Sequence, residues 1–169
     1  MKKIRLILCL SAIFFFATSY GQNESFKALF IYNFTKFIEW PASQRQGDFV
    51  IGVLGSSPLT TELQIIASKK KVGSQNIVVK TFASVDAVDY CNILFIPSGK
   101  SVQLGNVLAK VTGRNILVVT DKPGLCLQGA GINFISDGDK LKYEVNKNNL
   151  VKKGLVVNNA LLSAGVVVN

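Results

Sequence analysis

Asn92-Ile93-Leu94-Phe95-Ile96-Pro97 and, one helix-length later, Asn115-Ile116-Leu117-Val118-Val119-Thr120 are the runs that decide the fold. Ile93 to Ile96 and Ile116 to Val119 are apolar throughout, whereas a strand with one wet face alternates apolar and polar residues. Runs without alternation belong to strands covered on both faces, as the central strands of a parallel sheet are. Between them, Val102 to Val111 carries apolar residues at helical spacing and so reads as the crossover that parallel strands require. Strand, helix and strand in that order specify an α/β domain.

Upstream, Phe49 to Leu54 is another apolar strand, closed by Gly55-Ser56-Ser57-Pro58. Leu59 to Ser68 forms the next helix, with Leu59, Leu63 and Ile66 inward and Ser57-Pro58 as its start. Asn76 to Phe82 predicts a strand and Ser84 to Val88 a short helix. Downstream the period changes. Ile132 to Ile135 and Leu141 to Val145 flank Asp137-Gly138-Asp139, a hairpin turn signal, and place an antiparallel hairpin at the sheet edge with Lys140, Lys142 and Glu144 facing out. Asn146 caps a short helix ending at Gly154, and Ala160 to Val168 predicts a last helix capped by Asn158 or Asn159. The architecture expected is a mixed, mostly parallel sheet of five or six strands, with helices on both faces and the hairpin at one edge.

The N-terminal part reads differently. Lys2, Lys3 and Arg5 precede an apolar run from Leu6 to Ala17, with small residues at Ser19 and Gly21, the pattern of a secretory signal peptide over residues 1–21. It leaves one domain, residues 22–169, large enough to bury its own core. Removing those three basic residues from 19 Lys plus Arg, against 10 acids, leaves a mature charge of +6. Lys69-Lys70-Lys71 and Lys152-Lys153 are not interleaved with aromatics, so no nucleic-acid partner is expected. Glu24 to Pro41 opens the domain as a helix that Ser25 can cap and Trp40-Pro41 closes. Phe26, Phe30, Phe34, Phe37 and Ile38 fall on one face, with Lys27, Lys36 and Glu39 elsewhere. Such a face reads first as cover for the sheet; five aromatics on one short helix are more than a sheet usually needs, so Phe26, Phe30, Phe37 and Trp40 are the candidate partner face where any of it stays exposed.

Chemistry is scarce. The chain has no histidine, which removes the commonest general base and the commonest metal ligand together. Two mature cysteines, Cys91 and Cys126, cannot make a thiolate zinc site. No catalytic group, metal or cofactor is expected. In an α/β sheet a small ligand binds beyond the carboxyl ends of the strands, which points to a crevice at Gly55, Ser56, Ser57, Ser98 and Asp121. A second reading is therefore an envelope module holding an anionic metabolite.

The blocks Tyr32-Asn33-Phe34-Thr35-Lys36-Phe37-Ile38-Glu39-Trp40-Pro41, Phe49 to Gly55, Cys91 to Ile96, Gly129 to Ile135 and Tyr143-Glu144-Val145-Asn146, in this order, resemble the YfiR family of exported bacterial proteins. The resemblance spans nearly the whole mature chain. It implies a soluble periplasmic α/β regulator without catalytic activity, dimeric, that holds back an inner-membrane signalling protein, such as a diguanylate cyclase, by binding its periplasmic portion. Some members carry two disulfides; here only Cys91 and Cys126 remain. Cys91 precedes one central strand and Cys126 follows the next, so with about 3.3 Å per residue over five residues their separation approaches roughly 16 Å. That exceeds the limit of about 7 Å between bridged Cα atoms, and no bond between them is expected.

Overall fold

The apolar runs form the middle of one large sheet. The computed structural model describes residues 23–169; the expected signal peptide lies outside the described residues. In chain order the elements are α1 (23–37), β1 (Ile38–Glu39), β2 (Phe49–Leu54), α2 (Leu59–Ala67), β3 (Lys71–Val72), β4 (Gln75–Phe82), β5 (Ile93–Ile96), α3 (Leu104–Lys110), β6 (Leu117–Thr120), β7 (Ile132–Asp137), β8 (Lys140–Val145), α4 (Lys147–Lys152), β9 (Val156–Val157), α5 (Asn159–Ala164) and β10 (Val166–Val167). The main sheet has eight strands in the order β10-β8-β7-β6-β5-β2-β4-β3. Its pairings are parallel except β7 with β8 and β3 with β4. Every residue of β2, β5 and β6 is buried, as their lack of alternation demands.

Alternate residues of those strands feed two cores. Phe49, Ile51, Val53, Ile93, Phe95, Leu117, Val119, Phe134 and Tyr143 meet α1, α2 and Leu161 of α5 on one face. Val50, Leu54, Leu94, Ile96 and Val118 meet Leu104, Val107 and Val111 on the other. Phe82 lies so close on this second face that a Cβ at Gly52 would stand 2.5 Å from its ring, which is why β2 carries a glycine mid-strand. In the first core Phe30, Phe34, Phe134 and Tyr143 form an aromatic cluster with ring centroids 5.1–6.3 Å apart. Such pairs add about 0.5–1.5 kcal/mol each beyond the area they bury.

Several expectations change. α1 stops at residue 37, and Ile38–Glu39 leave it as β1 to pair antiparallel with β9, so Trp40-Pro41 does not terminate the helix. Ser25 lies within the helix and does not cap it. Ser84 to Val88 is a bend: the amide of Val88 reaches the carbonyl of Val85, and no helix forms. The segment from Ser98 begins as a 3-10 helix to Gln103 before α3 proper. The last helix ends at Ala164. Gly165 turns the chain into β10, which pairs parallel with Glu144 and Val145, so the sheet has eight strands and the hairpin is second from its edge. Asn158 caps α5, its Oδ1 accepting the amide of Ala160 at 2.8 Å, and Asn146 caps α4 as expected.

Candidate functional site

α1 lies on the sheet with a face that takes in only part of the aromatic stripe. Glu24, Lys27, Ala28, Ile31 and Phe34 are its buried residues, while Phe26 is 48% exposed and Phe30 and Phe37 are half-buried against the first core. A Lys at the centre of that face needs compensation, because an isolated buried ammonium is strongly unfavourable. Lys27 Nζ donates to Glu24 Oε1 at 2.7 Å, one helical turn back, and to Asp121 Oδ2 at 2.8 Å, just beyond the carboxyl end of β6. Burial by itself pulls the Lys27 pKa down. The hydrogen bonds and charges of Asp121 and Glu24 outweigh it, so the ammonium is held above its ordinary value. This triad fixes the start of α1 to the sheet.

Next to it, Asn133 Oδ1 accepts from Thr120 Oγ1 at 2.8 Å and from the amide of Lys122 at 3.1 Å, while its Nδ2 donates to Glu144 Oε2 at 3.0 Å. Glu144 is therefore turned toward β7 and only partly exposed, unlike Lys140 and Lys142. Asn149 Nδ2 donates to the carbonyls of Cys126 and Ala130, and so holds the loop that follows Asp121. The polar groups at this end of the sheet satisfy one another.

Adjacent β6, β5 and β2 do bring the ends carrying Asp121, Ser98 and Gly55-Ser56-Ser57 side by side. Their groups are already engaged. Asp121 holds Lys27, a Cβ on Gly55 would lie 2.9 Å from Cε of Lys100, and Ser57 Oγ accepts the amide of Leu59. Ser56 and Ser98 are exposed.

Open space lies elsewhere. An open groove of 780 Å³ runs between the start of α1 and the β7–β8 hairpin, with Asn23, Phe26 and Phe30 on one wall and Lys140, Leu141 and Lys142 on the other. Phe30 serves both the aromatic cluster and this groove. Lys142 is paired with Asp137, whose carboxyl that hydrogen bond and charge hold below the usual range. Lys140 has no ion pair among those recorded for the described residues. The groove thus gathers Phe26 and Phe30 from the expected partner face but not the other two. Trp40 is buried, edge-on to Phe49 at 5.0 Å, with Nε1 donating to the carbonyl of Asn92. Phe37 packs on the first core, its carbonyl taking the amide of Asn158. Trp40 also borders a smaller cavity of 310 Å³ near Gln44 and Gln75.

Cys91 and Cys126 are free and fully buried. Burial pushes both thiols up to about 12, well outside the range of a nucleophile at neutral pH. No group of three or more metal-ligating side chains occurs among the described residues.

The family model for YfiR/HmsC-like proteins matches residues 24–165, from the first buried acid of α1 to the glycine before β10. The chain belongs to the YfiR/HmsC-like family. Membership carries a general role as a periplasmic regulator. No curated protein matches the chain. Within the YfiR/HmsC-like frame, the features the residues bring out are an open groove beside α1 and a buried triad at the start of that helix. No helix among the described residues is long and apolar enough to cross a membrane.

Proposed function

We propose that this protein is a non-catalytic periplasmic regulator that docks on the extracytoplasmic part of an inner-membrane signalling protein and controls it by occupancy, the first candidate being a diguanylate cyclase. One observation carries the reading beyond family membership. Phe26 and Phe30 line an open groove against Leu141, and Phe26 leaves half its surface in water at the rim. Aromatic side chains with an apolar body beside a basic rim suit protein contact, where such residues dominate the energy of binding. Regulation by docking needs no proton transfer, in keeping with a chain that lacks histidine. The reading as a metabolite-binding module draws less support, because Asp121 and Lys27 already neutralise each other and Lys100 covers Gly55.

The test is a deletion of the gene in its native host, with cellular cyclic di-GMP measured before and after complementation. Deletion is expected to raise the nucleotide, the wild-type gene to restore it, and a Phe26→Ala gene to fall short at equal protein level. An unchanged nucleotide pool in a strain that expresses a cyclase with a periplasmic domain would refute the cyclase as partner.

A further inference from the structure

The edge of the large sheet is incomplete where it meets the groove. β8 is six residues long, yet β10 pairs only with Glu144 and Val145. Along Lys140 to Tyr143 no strand lies on the outer side among the described residues. The carbonyl of Val145 accepts the amide of Val168 on that outer side. Backbone groups of a strand alternate with a period of two, so Leu141, four residues earlier, also turns its N–H and C=O outward. Side chains alternate as well. Leu141 packs with the first core on the face that carries Phe26 and Phe30, while Lys140 and Lys142 alternate toward the other face of the strand, exposed, and border the groove at its rim.

We infer that the free edge of β8 and the groove beside it accept an extended segment of a protein partner by strand addition, and that the segment alternates acidic and apolar residues. Main-chain bonds to Leu141 supply the register, and alternate side chains read the two faces. The apolar side chain opposite Leu141 enters the groove between Phe26 and Phe30. Its two neighbours lie opposite Lys140 and Lys142 on the other face; Lys142 already holds Asp137, so Lys140 carries most of the preference for a carboxylate over a cation.

The same register excludes a second copy of this chain. An antiparallel pairing of two β8 edges centred on Leu141 sets Lys140 of each copy against Lys142 of the other. Like charges placed directly opposite destabilise such a pair, and edge lysines are a common guard against it. The lysines that disfavour pairing of two β8 edges also favour an acidic strand at this edge.

This inference rests on the docking reading in taking the segment to belong to the regulated membrane protein, but its test does not. The probe is an acetylated, amidated heptapeptide, Glu-Val-Glu-Phe-Glu-Val-Glu, titrated into the mature protein and followed by peptide fluorescence anisotropy and by the backbone amide signals of the protein. Saturable binding is expected, with the largest shifts at Leu141 and its neighbours. The Lys-for-Glu peptide should bind about tenfold or more weakly, and a copy N-methylated at alternate residues should not bind. A Lys140→Glu, Lys142→Glu protein with unchanged thermal unfolding should reverse the preference between the two charged peptides. Absent saturation, equal binding of the N-methylated peptide, or shifts confined to another face would overturn the inference. Peptide binding at β8 together with an unchanged cyclic di-GMP pool would leave this surface standing and discard the cyclase reading.

Discussion

Replacing Lys27 with methionine keeps most of the side-chain volume while removing the charge that two acids share. In the wild type the side chains of Lys27, Glu24 and Asp121 are 7%, 10% and 22% exposed. Since the Lys27 nitrogen lies 2.7 Å from one carboxylate oxygen and 2.8 Å from the other, those oxygens are no more than 5.5 Å apart, the sum of the two. At about 5 Å and an effective dielectric of about 20, two like charges repel by roughly 3 kcal/mol. Breaking a buried pair by removing one partner costs about 3–5 kcal/mol when nothing else relaxes, and the partial exposure of Asp121 brings the expected loss to about 3 kcal/mol at pH 7. In urea, with a slope of about 2 kcal/mol per molar, the unfolding midpoint falls by roughly 1.5 M. The sign with pH is definite. With the ammonium gone two like charges face each other, and acid, by neutralising either of them, relieves the repulsion. Urea melts followed by circular dichroism at pH 7 and pH 5 should show partial recovery at the lower pH. Adding Glu24→Gln and Asp121→Asn should restore most of the loss at both. A Lys27→Met loss below about 0.5 kcal/mol, or one identical at the two pH values, would refute the triad as the anchor of α1.

Phe34→Ala should cost about 3–5 kcal/mol by emptying the aromatic cluster, whereas Phe26→Ala should leave the thermal midpoint almost unchanged and act on docking alone; equal losses would contradict the assignment of the two faces. Cys91 and Cys126 should resist iodoacetamide at pH 8 until the protein is denatured, and rapid native labelling would show that they are not sealed in the core. Because both thiols and Lys27 have folded pKa values above their unfolded ones, stability from these groups is complete below about pH 8.5, and it declines as pH rises toward 12. A flat urea midpoint from pH 8 to 11 would contradict that. At Gly165 a Cβ would stand 2.3 Å from the Tyr143 ring, so Gly165→Ala should cost about 1–3 kcal/mol and speed hydrogen exchange at the Val168 amide; unchanged protection there would mean β10 does not depend on this contact.

The centre of the fold was legible because burial on both faces leaves an unambiguous mark: Ile93 to Ile96 and Leu117 to Thr120 have no polar position to misread apart from the terminal Thr120. The hairpin was legible from Asp137-Gly138-Asp139 for the same local reason. α1 was legible in part: Phe34 is buried and Phe30 and Phe37 pack on the first core, but the inner face is shifted toward Ala28 and Ile31, which leaves Phe26 outside it. Lys27 looks like a surface residue until Asp121, distant in sequence, arrives beside it. β10 was hidden because two valines after a helical pattern cannot announce a strand; only the glycine at 165, pressed against Tyr143, gives the stop. The four residues of the expected partner face part company. Phe26 and Phe30 reach the groove, while Phe37 and Trp40 were drawn into packing by β1, whose pairing with β9 no local signal foretells.

That small clasp has a kinetic consequence. Ile38 pairs with Val157, and the amide of Asn158 closes onto the carbonyl of Phe37, so the first helix is locked down by residues far downstream in the chain. Until those residues fold against it, α1 lacks the pairing that fixes its exit, and its buried charges wait for Asp121. Contacts between distant parts of a chain form late and slowly. A polypeptide wired in this way gains its full rigidity only when distant parts of the domain are present together.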